Sequence, residues 1–581
     1  MRVKQPIRSA IIRRMQQAQS RWQGKLIAAL GALTLLVATF FLPFAFPPGP
    51  SVSLSYTAGF NNRVALLGFV CSTFALAFVF ARKFPRESVA DKPLSRWLPV
   101  TFTVLYTGLT AVWQHTRPIG AEVAYCLERQ LQLDRGRRLY TDFQYFYGPA
   151  LIYPGHFFHT VFHLSSGGAY FLYWVLCWCC GTAMIGYVVR RIDVPTRFRI
   201  AIYLLVVLVS FLSIRDEGMQ YTPLRLWCSA FCAVWVYDLR RERVRPTTLL
   251  AAMTASLLGC MAISPEHGLA VLIGLSAYSC LLFALQRRAW PASFLVSQLL
   301  IFAIVAAVAG HFHLFDGIKA FSTGGYNFPL LLSPAVLVVL SVYVCAIFSL
   351  CANLLRRNLD NATVPLALCG IPLLASAFGR CDIGHLAGDA PLWIAGLFLI
   401  SSQRQLAVLW VPLALLTVYG PIGVPMLLGF TQAHLHKQMK VVVSDGAVSR
   451  DHPIDMNRTY YLPFELPIAK RLKIPEEALD SGFYAGTQGI TDLASMTRKI
   501  EEIKAMRHIP FLLPVASAEL PQEPYFDQHM LTLKAFELSF YVPRVKRPYL
   551  SPQPILDSIE DSHRPGDQVI DGMRVWEPVE P

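Results

Sequence analysis

Apolar and polar blocks alternate along this chain, and most apolar blocks have the length of about 20 residues that an α-helix needs to cross a hydrocarbon core. Runs near residues 26–46, 64–80, 97–113, 169–189, 198–213, 222–237, 247–263, 268–286, 292–310, 329–355, 364–378, 391–403 and 406–428 predict about thirteen transmembrane helices. Arginine and lysine gather in every second connection: Arg82, Lys83 and Arg86, then Arg190 and Arg191, then Arg240 and Arg241, then Arg287 and Arg288, then Arg356 and Arg357, then Arg404. Such alternation marks the cytoplasmic loops. It predicts a cytoplasmic N-terminus and a C-terminus on the outer side. The first 25 residues are basic, and Pro43, Pro47 and Pro48 close the first run without a small-residue cleavage pattern, so the run reads as a signal anchor. The expected fold is an α-helical polytopic membrane protein, with residues 1–430 as the membrane domain.

Two stretches break the pattern. Residues 150–163 are apolar but too short to cross, and the charge alternation leaves room for one crossing before Arg190. They are expected to lie along the outer interface, with His156, His159 and His163 on one helical face as its polar stripe. After residue 430 the chain turns polar and proline-rich. Residues 431–581 are expected to form a small soluble α/β or α+β domain on the outer side. Its clearest elements are an amphipathic helix near 490–506, with Leu493, Met496, Ile500 and Ile503 on one face, and a buried strand at 510–515.

Composition agrees with this reading. Of 581 residues, 54% are hydrophobic and 15% charged, and the mean hydropathy is +0.43. A soluble enzyme is excluded. The net charge of +15 is spread between apolar runs rather than gathered in one patch, which argues against nucleic acid as a partner. The thirteen cysteines are mostly inside apolar segments, so no disulfide framework is expected. Cys126 and Cys381 fall in predicted outer loops, where a bridge between them would join the two loops.

The same topology places four polar clusters on one face. The first is the loop 114–163, whose segment 121–149 carries Glu122, Glu128, Asp134 and Asp142 among aromatic residues. The others are SIRDEG at 213–218, SPEHG at 264–268 and GRCDIGH at 379–385. Arg225, four residues into a predicted span, is either a site residue or an arginine reaching back to the interface. An enzyme that transfers a group from a lipid-linked donor needs a carboxylate to take the acceptor's proton and cations to hold the donor phosphate. Glu122, Asp134 and Asp142 are candidates for the first task. Arg215, Arg225 and Arg380 are candidates for the second. Glu266 and His267, with Asp382 and His385, could add a divalent-cation site, though no ligand spacing among them is diagnostic.

Glu122, the segment Gly136 to Tyr140–Asp142–Phe143, and Tyr147-Gly148-Pro149 resemble the first outer loop of GT-C membrane glycosyltransferases, the protein-mannosyltransferase-like and aminoarabinose-transferase-like enzymes. GRCDIGH resembles a later outer loop of bacterial members. The resemblance implies an inverting transfer of a sugar from a polyprenyl-phosphate donor to a hydroxyl or amine of a glycan, lipid or protein acceptor, on the periplasmic face of the bacterial inner membrane. It implies Glu122, or else Asp142, as general base, with Asp142 otherwise its partner or a metal ligand, and Asp134, Tyr140, Tyr147, Asp382 and His385 as substrate-binding or supporting residues. Two departures stand out: Ala121 replaces the first acid of the family's acidic pair, and two spans precede the one that feeds the loop. A transporter or flippase of amphipathic lipids, or a non-enzymatic envelope assembly protein, would also place ionisable residues at membrane depth. Transporters commonly carry inverted repeats, and none is visible in this sequence.

Overall fold

In a computed structural model of the chain, the described residues are 26–49, 54–80, 95, 97–114, 121–134, 136–141, 143, 145–192, 194–212, 218–286, 291–318, 327–330, 332–381, 385–386, 388–401, 458–461, 479–480, 493–514, 553–570 and 573–579. Up to residue 401 their regular structure is helical: α1 (Leu26–Ala45), α2 (Asn62–Phe80), α3 (Trp97–Gln114), α4 (Ala121–Asp134), α5 (Tyr153–Phe162), α6 (Ser166–Val189), α7 (Thr196–Leu212), α8 (Pro223–Arg241), α9 (Pro246–Ile263), α10 (Pro265–Leu285), α11 (Ala292–His311), α12 (Pro334–Leu355), α13 (Thr363–Arg380) and α14 (Ala390–Ser401), besides shorter turns. Eight of these, α1, α2, α6 and α9–α13, are long and apolar enough to cross a membrane. That makes the protein an integral multi-pass membrane protein. A helix stands at every predicted run as far as 401, while the run at 406–428 lies outside the described residues. Four helices at predicted runs fall outside the set of eight. Among them α7 has 17 residues, α8 carries four charged side chains, and α14 has 12 residues.

The bundle shows what a bilayer as solvent demands. Leu30 and Leu33 of α1 and Val296, Leu300 and Ile304 of α11 are exposed, an apolar outer surface suited to lipid. The core forms where α10 packs on α13, α12 on α14, and α13 on both α8 and α14. Small residues set the closest approaches. A Cβ on Gly274 of α10 would lie 2.6 Å from the Cys369 backbone of α13, and one on Gly396 of α14 would lie 2.3 Å from Val342 O of α12. Two ion-pair clamps close the arginine-rich end. Asp238 of α8 accepts from Arg190 Nη2 at 2.9 Å and from Tyr187 OH at 2.8 Å, and Arg191 Nη2 stands 2.6 Å from its other oxygen. Arg240 donates to Asp360 at 2.5 Å and to the Tyr278 hydroxyl at 2.7 Å.

One expectation is corrected. The segment 121–149 is not a loop throughout, since its first half is the helix α4. Cys126 and Cys381 are both buried, and no disulfide joins them in this structure. Cys126 Sγ donates to Gln220 Oε1 at 3.7 Å, and Cys381 Sγ faces Phe378 O at 2.9 Å. The run at 391–403 carries the helix α14, buried throughout its described residues, Ala390–Ser401.

The described residues near the C-terminus form a five-stranded mixed sheet in the order β2-β1-β3-β5-β4, from β1 (Tyr460–Tyr461), β2 (Leu479–Asp480), β3 (Phe511–Pro514), β4 (His563–Ile570) and β5 (Met573–Pro578). β1 runs parallel to β2 and β3, whereas β5 is antiparallel to β3 and β4. The predicted amphipathic helix is α15 (Leu493–Ala505), and the predicted strand is β3. Met496 and Ile503 of α15 and Ile555 and Ile559 of α16 (Gln553–Ser562) bury against Phe511 and Leu513.

Candidate functional site

The site is built where α8, α10 and the segment after α4 meet. Thr222-Pro223 and Ser264-Pro265 begin α8 and α10, each a polar cap residue followed by proline at the first helical position. Arg225 and Glu266 therefore both stand in a first helical turn, at the same end of two neighbouring helices. They form an ion pair through Arg225 Nη2 and Glu266 Oε1. Arg225 is 9% exposed, enclosed by protein in the first turn of α8. Its Nη1 donates to Gln220 O at 2.9 Å and its Nε to Ser264 Oγ at 3.3 Å. Three sides of the guanidinium are thus held by protein, which is how a buried charge is tolerated. Next to Glu266, His267 Nδ1 shares a hydrogen bond of 2.7 Å with Ser229 Oγ of α8.

The aromatic segment lies on this pair. The Tyr147 ring stands 4.8 Å from the Arg225 guanidinium carbon, a cation–π contact. Tyr140 donates its hydroxyl to Tyr147 O at 2.5 Å. Tyr140 also has a φ of 65°, an unusual backbone for a bulky side chain. Its amide donates to Phe143 O at 3.0 Å, which fixes the turn. Gly148 then docks the chain on the end of α9: its amide donates to Ile263 O at 3.1 Å, and a Cβ there would lie 2.1 Å from Ala262 O. Glycine is required at that approach.

Arg380 belongs to the same end of the bundle. α10 and α13 are antiparallel neighbours that touch at Gly274 and Cys369. Each of these residues lies roughly ten residues, about 15 Å, from the Glu266 and Arg380 ends respectively. Arg380 stands over the Phe328 ring at 5.8 Å. Asn62, the first residue of α2, binds this corner by donating to Phe328 O at 2.9 Å and to Phe378 O at 2.8 Å. His385 is half-buried just beyond.

Asp134 stands apart, at the end of α4. It accepts from His156 Nδ1 at 2.6 Å, with His159 Nε2 3.6 Å from its other oxygen. The histidine stripe of α5 therefore faces α4. Asp142, Arg215 and Asp382 lie outside the described residues, as does the side chain of Glu122, whose backbone is in the first turn of α4. Glu266 and His267 find no third ligand, and among the described residues no group of three or more His, Cys, Asp or Glu could hold a metal.

Sequence reasoning placed Ser264 in the SPEHG cluster without giving it a role, although Ser-Pro-Glu is a helix start. It did not single out Gln220, Ser229 or Asn62, which carried no signal. No family model, curated protein or solved structure matches the chain.

Proposed function

We propose that the protein is a membrane glycosyltransferase that moves a sugar from a polyprenyl-phosphate donor to an acceptor hydroxyl or amine, with inversion, on the periplasmic face of a bacterial inner membrane. One observation carries this reading: a buried Arg225–Glu266 ion pair at one end of the bundle, covered by the Tyr140–Gly148 segment and standing at the same end as Arg380. Glu122 is the proposed base that takes the acceptor's proton, with Asp142 as its partner, as the family resemblance implies. The ion pair changes the assignment of the cations. Arg225 and Glu266 are neutral as a unit, so Arg225 acts first as a positioning residue that seats Tyr147. The departing phosphate then falls to Arg380 and Arg215, which leaves Arg225 to contribute when Glu266 lets go. About thirteen spans, with the C-terminal residues in the periplasm, complete the proposed topology.

A second reading is transport of an amphipathic lipid, which would also use an ionisable side chain deep in the bundle such as the buried Asp389. Purified protein in liposomes separates the two. A transferase offered polyprenyl-phosphate sugars and acceptors releases free polyprenyl phosphate. A transporter moves the donor between leaflets and leaves the sugar–phosphate bond intact.

A further inference from the structure

A carboxyl group sits deep in the bundle, outside the site above. Asp389 is 3% exposed. It precedes α14 and caps it, since its Oδ1 accepts the Leu392 amide at 3.3 Å. Its depth is fixed by two neighbours. A Cβ on Gly370 of α13 would lie 3.2 Å from Asp389 Oδ1, and Gly370 is ten residues, about 15 Å, from the Arg380 end of an 18-residue helix. Three residues earlier, Leu386 O accepts the hydroxyl of Tyr343, well inside α12. The chain after α13 therefore turns back into the bundle, and α14 starts at membrane depth with every residue buried.

Among the described residues no cationic side chain pairs with Asp389 at that depth. Its Oδ2 has no hydrogen-bond partner among the described residues. The titratable groups around it are the Cys369 thiol of α13, with Cys232 of α8 behind it, Tyr343 of α12 and His385 on its own segment. None is an arginine or a lysine. The dipoles of one helix N-terminus offset only part of the cost of stripping a carboxylate of water. A carboxyl in such a place stays neutral unless a cation or water reaches it. The segment is not sealed, because Gly388 and His385 beside it are half-buried rather than enclosed.

We propose that Asp389 is an intramembrane proton-binding site, a carboxylic acid that carries its proton at neutral pH and exchanges it with solvent. The inference stands whether the protein transfers a sugar or carries a lipid, because it concerns the interior of the bundle and not the helix ends that carry the Arg225–Glu266 pair.

The test is the infrared spectrum of the full chain in liposomes, wild type minus Asp389→Asn, from mildly acidic to mildly alkaline pH in H2O and in D2O. Asparagine keeps the cap on the Leu392 amide, and thermal melting checks that the variant is folded. The expected result is a carboxylic C=O band above the amide bands that is present at neutral pH, absent from Asp389→Asn and shifted in D2O. Carboxylate bands alone at neutral pH would overturn the proposal, because the acid would then be ionised and paired. A neutral band that does not shift in D2O would also overturn it, leaving a sealed cap. If Asp389→Asn fails to fold, Cys369→Ser replaces it: the wild-type band must change frequency when the neighbouring thiol goes, and a band that stays fixed contradicts the assignment.

Discussion

At the residue scale the account rests on Arg225 and Glu266. Removing one partner of a buried ion pair leaves the other charge stranded, at a cost of about 3–5 kcal/mol, whereas replacing both with apolar groups of similar size is often near neutral. Arg225→Met and Glu266→Met are each expected to lower stability in detergent by that order, and the double variant by clearly less than the sum. Additive losses in a double-mutant cycle would show that the two side chains do not act as a pair. Gly148→Ala is expected to lift the aromatic segment from α9, because its Cβ would overlap Ala262 O. Hydrogen exchange over 140–148 should then rise several-fold, while the interior of α9 stays protected. Arg225 and Glu266 were legible as site candidates because charges beside apolar runs are costly and rarely idle, whereas Tyr140 and Tyr147 were singled out by the family resemblance alone. The sequence could not pair Arg225 with Glu266, which are 41 positions apart. Nor could it show that Asp134 belongs to His156, because the helix α4 that brings them together reads as a polar loop.

At the element scale, apolar run length located the helices described up to residue 401, and hydrophobic periodicity located the amphipathic helix α15, because lipid and core each impose their own pattern. Both failed where an element is specified by neighbours instead. α14 is apolar all round, which suits a span and a buried helix equally, and only Asp389 against Gly370 shows that it starts inside the bundle. The α4–α5 junction gives a prediction of the same kind. Asp134 and the two histidines are partly solvated, so their contact is worth about 1 kcal/mol or less. Asp134→Asn should therefore loosen α5 without unfolding the bundle. Hydrogen exchange in 153–162 would increase, while α6 would be unchanged. In the C-terminal sheet, His563 stacks on Phe511, and its Nε2 donates to Ile509 O at 2.9 Å. Burial holds its protonation below the ordinary histidine range. The folded pKa is thus lower than the unfolded value of about 6.5, so the unfolded chain takes up more protons as pH falls through that value, and the sheet loses stability there. Protection of residues 509–513 should fall in mild acid in wild type but not in His563→Gln.

At the scale of the whole molecule, the end that carries Arg225, Glu266 and Arg380 stands opposite the arginine-rich end, where Asp238 and Asp360 neutralise part of the basic charge. The sequence showed those arginines only as a topology signal, and their acidic partners were hidden because each lies far along the chain or behind a span. If the proposed orientation holds, single cysteines at exposed positions beside Arg240 react with a membrane-impermeant reagent only from the cytoplasmic side. The measurement that bears most directly on the central claim is sugar transfer by the full chain in liposomes, comparing wild type with Glu122→Gln and Asp142→Asn. The account predicts that wild type releases free polyprenyl phosphate from a polyprenyl-phosphate sugar, and that Glu122→Gln loses at least a hundredfold in rate, as loss of a general base should. Equal turnover by all three proteins, or equal rescue of a deletion strain by wild type and both variants, would contradict it.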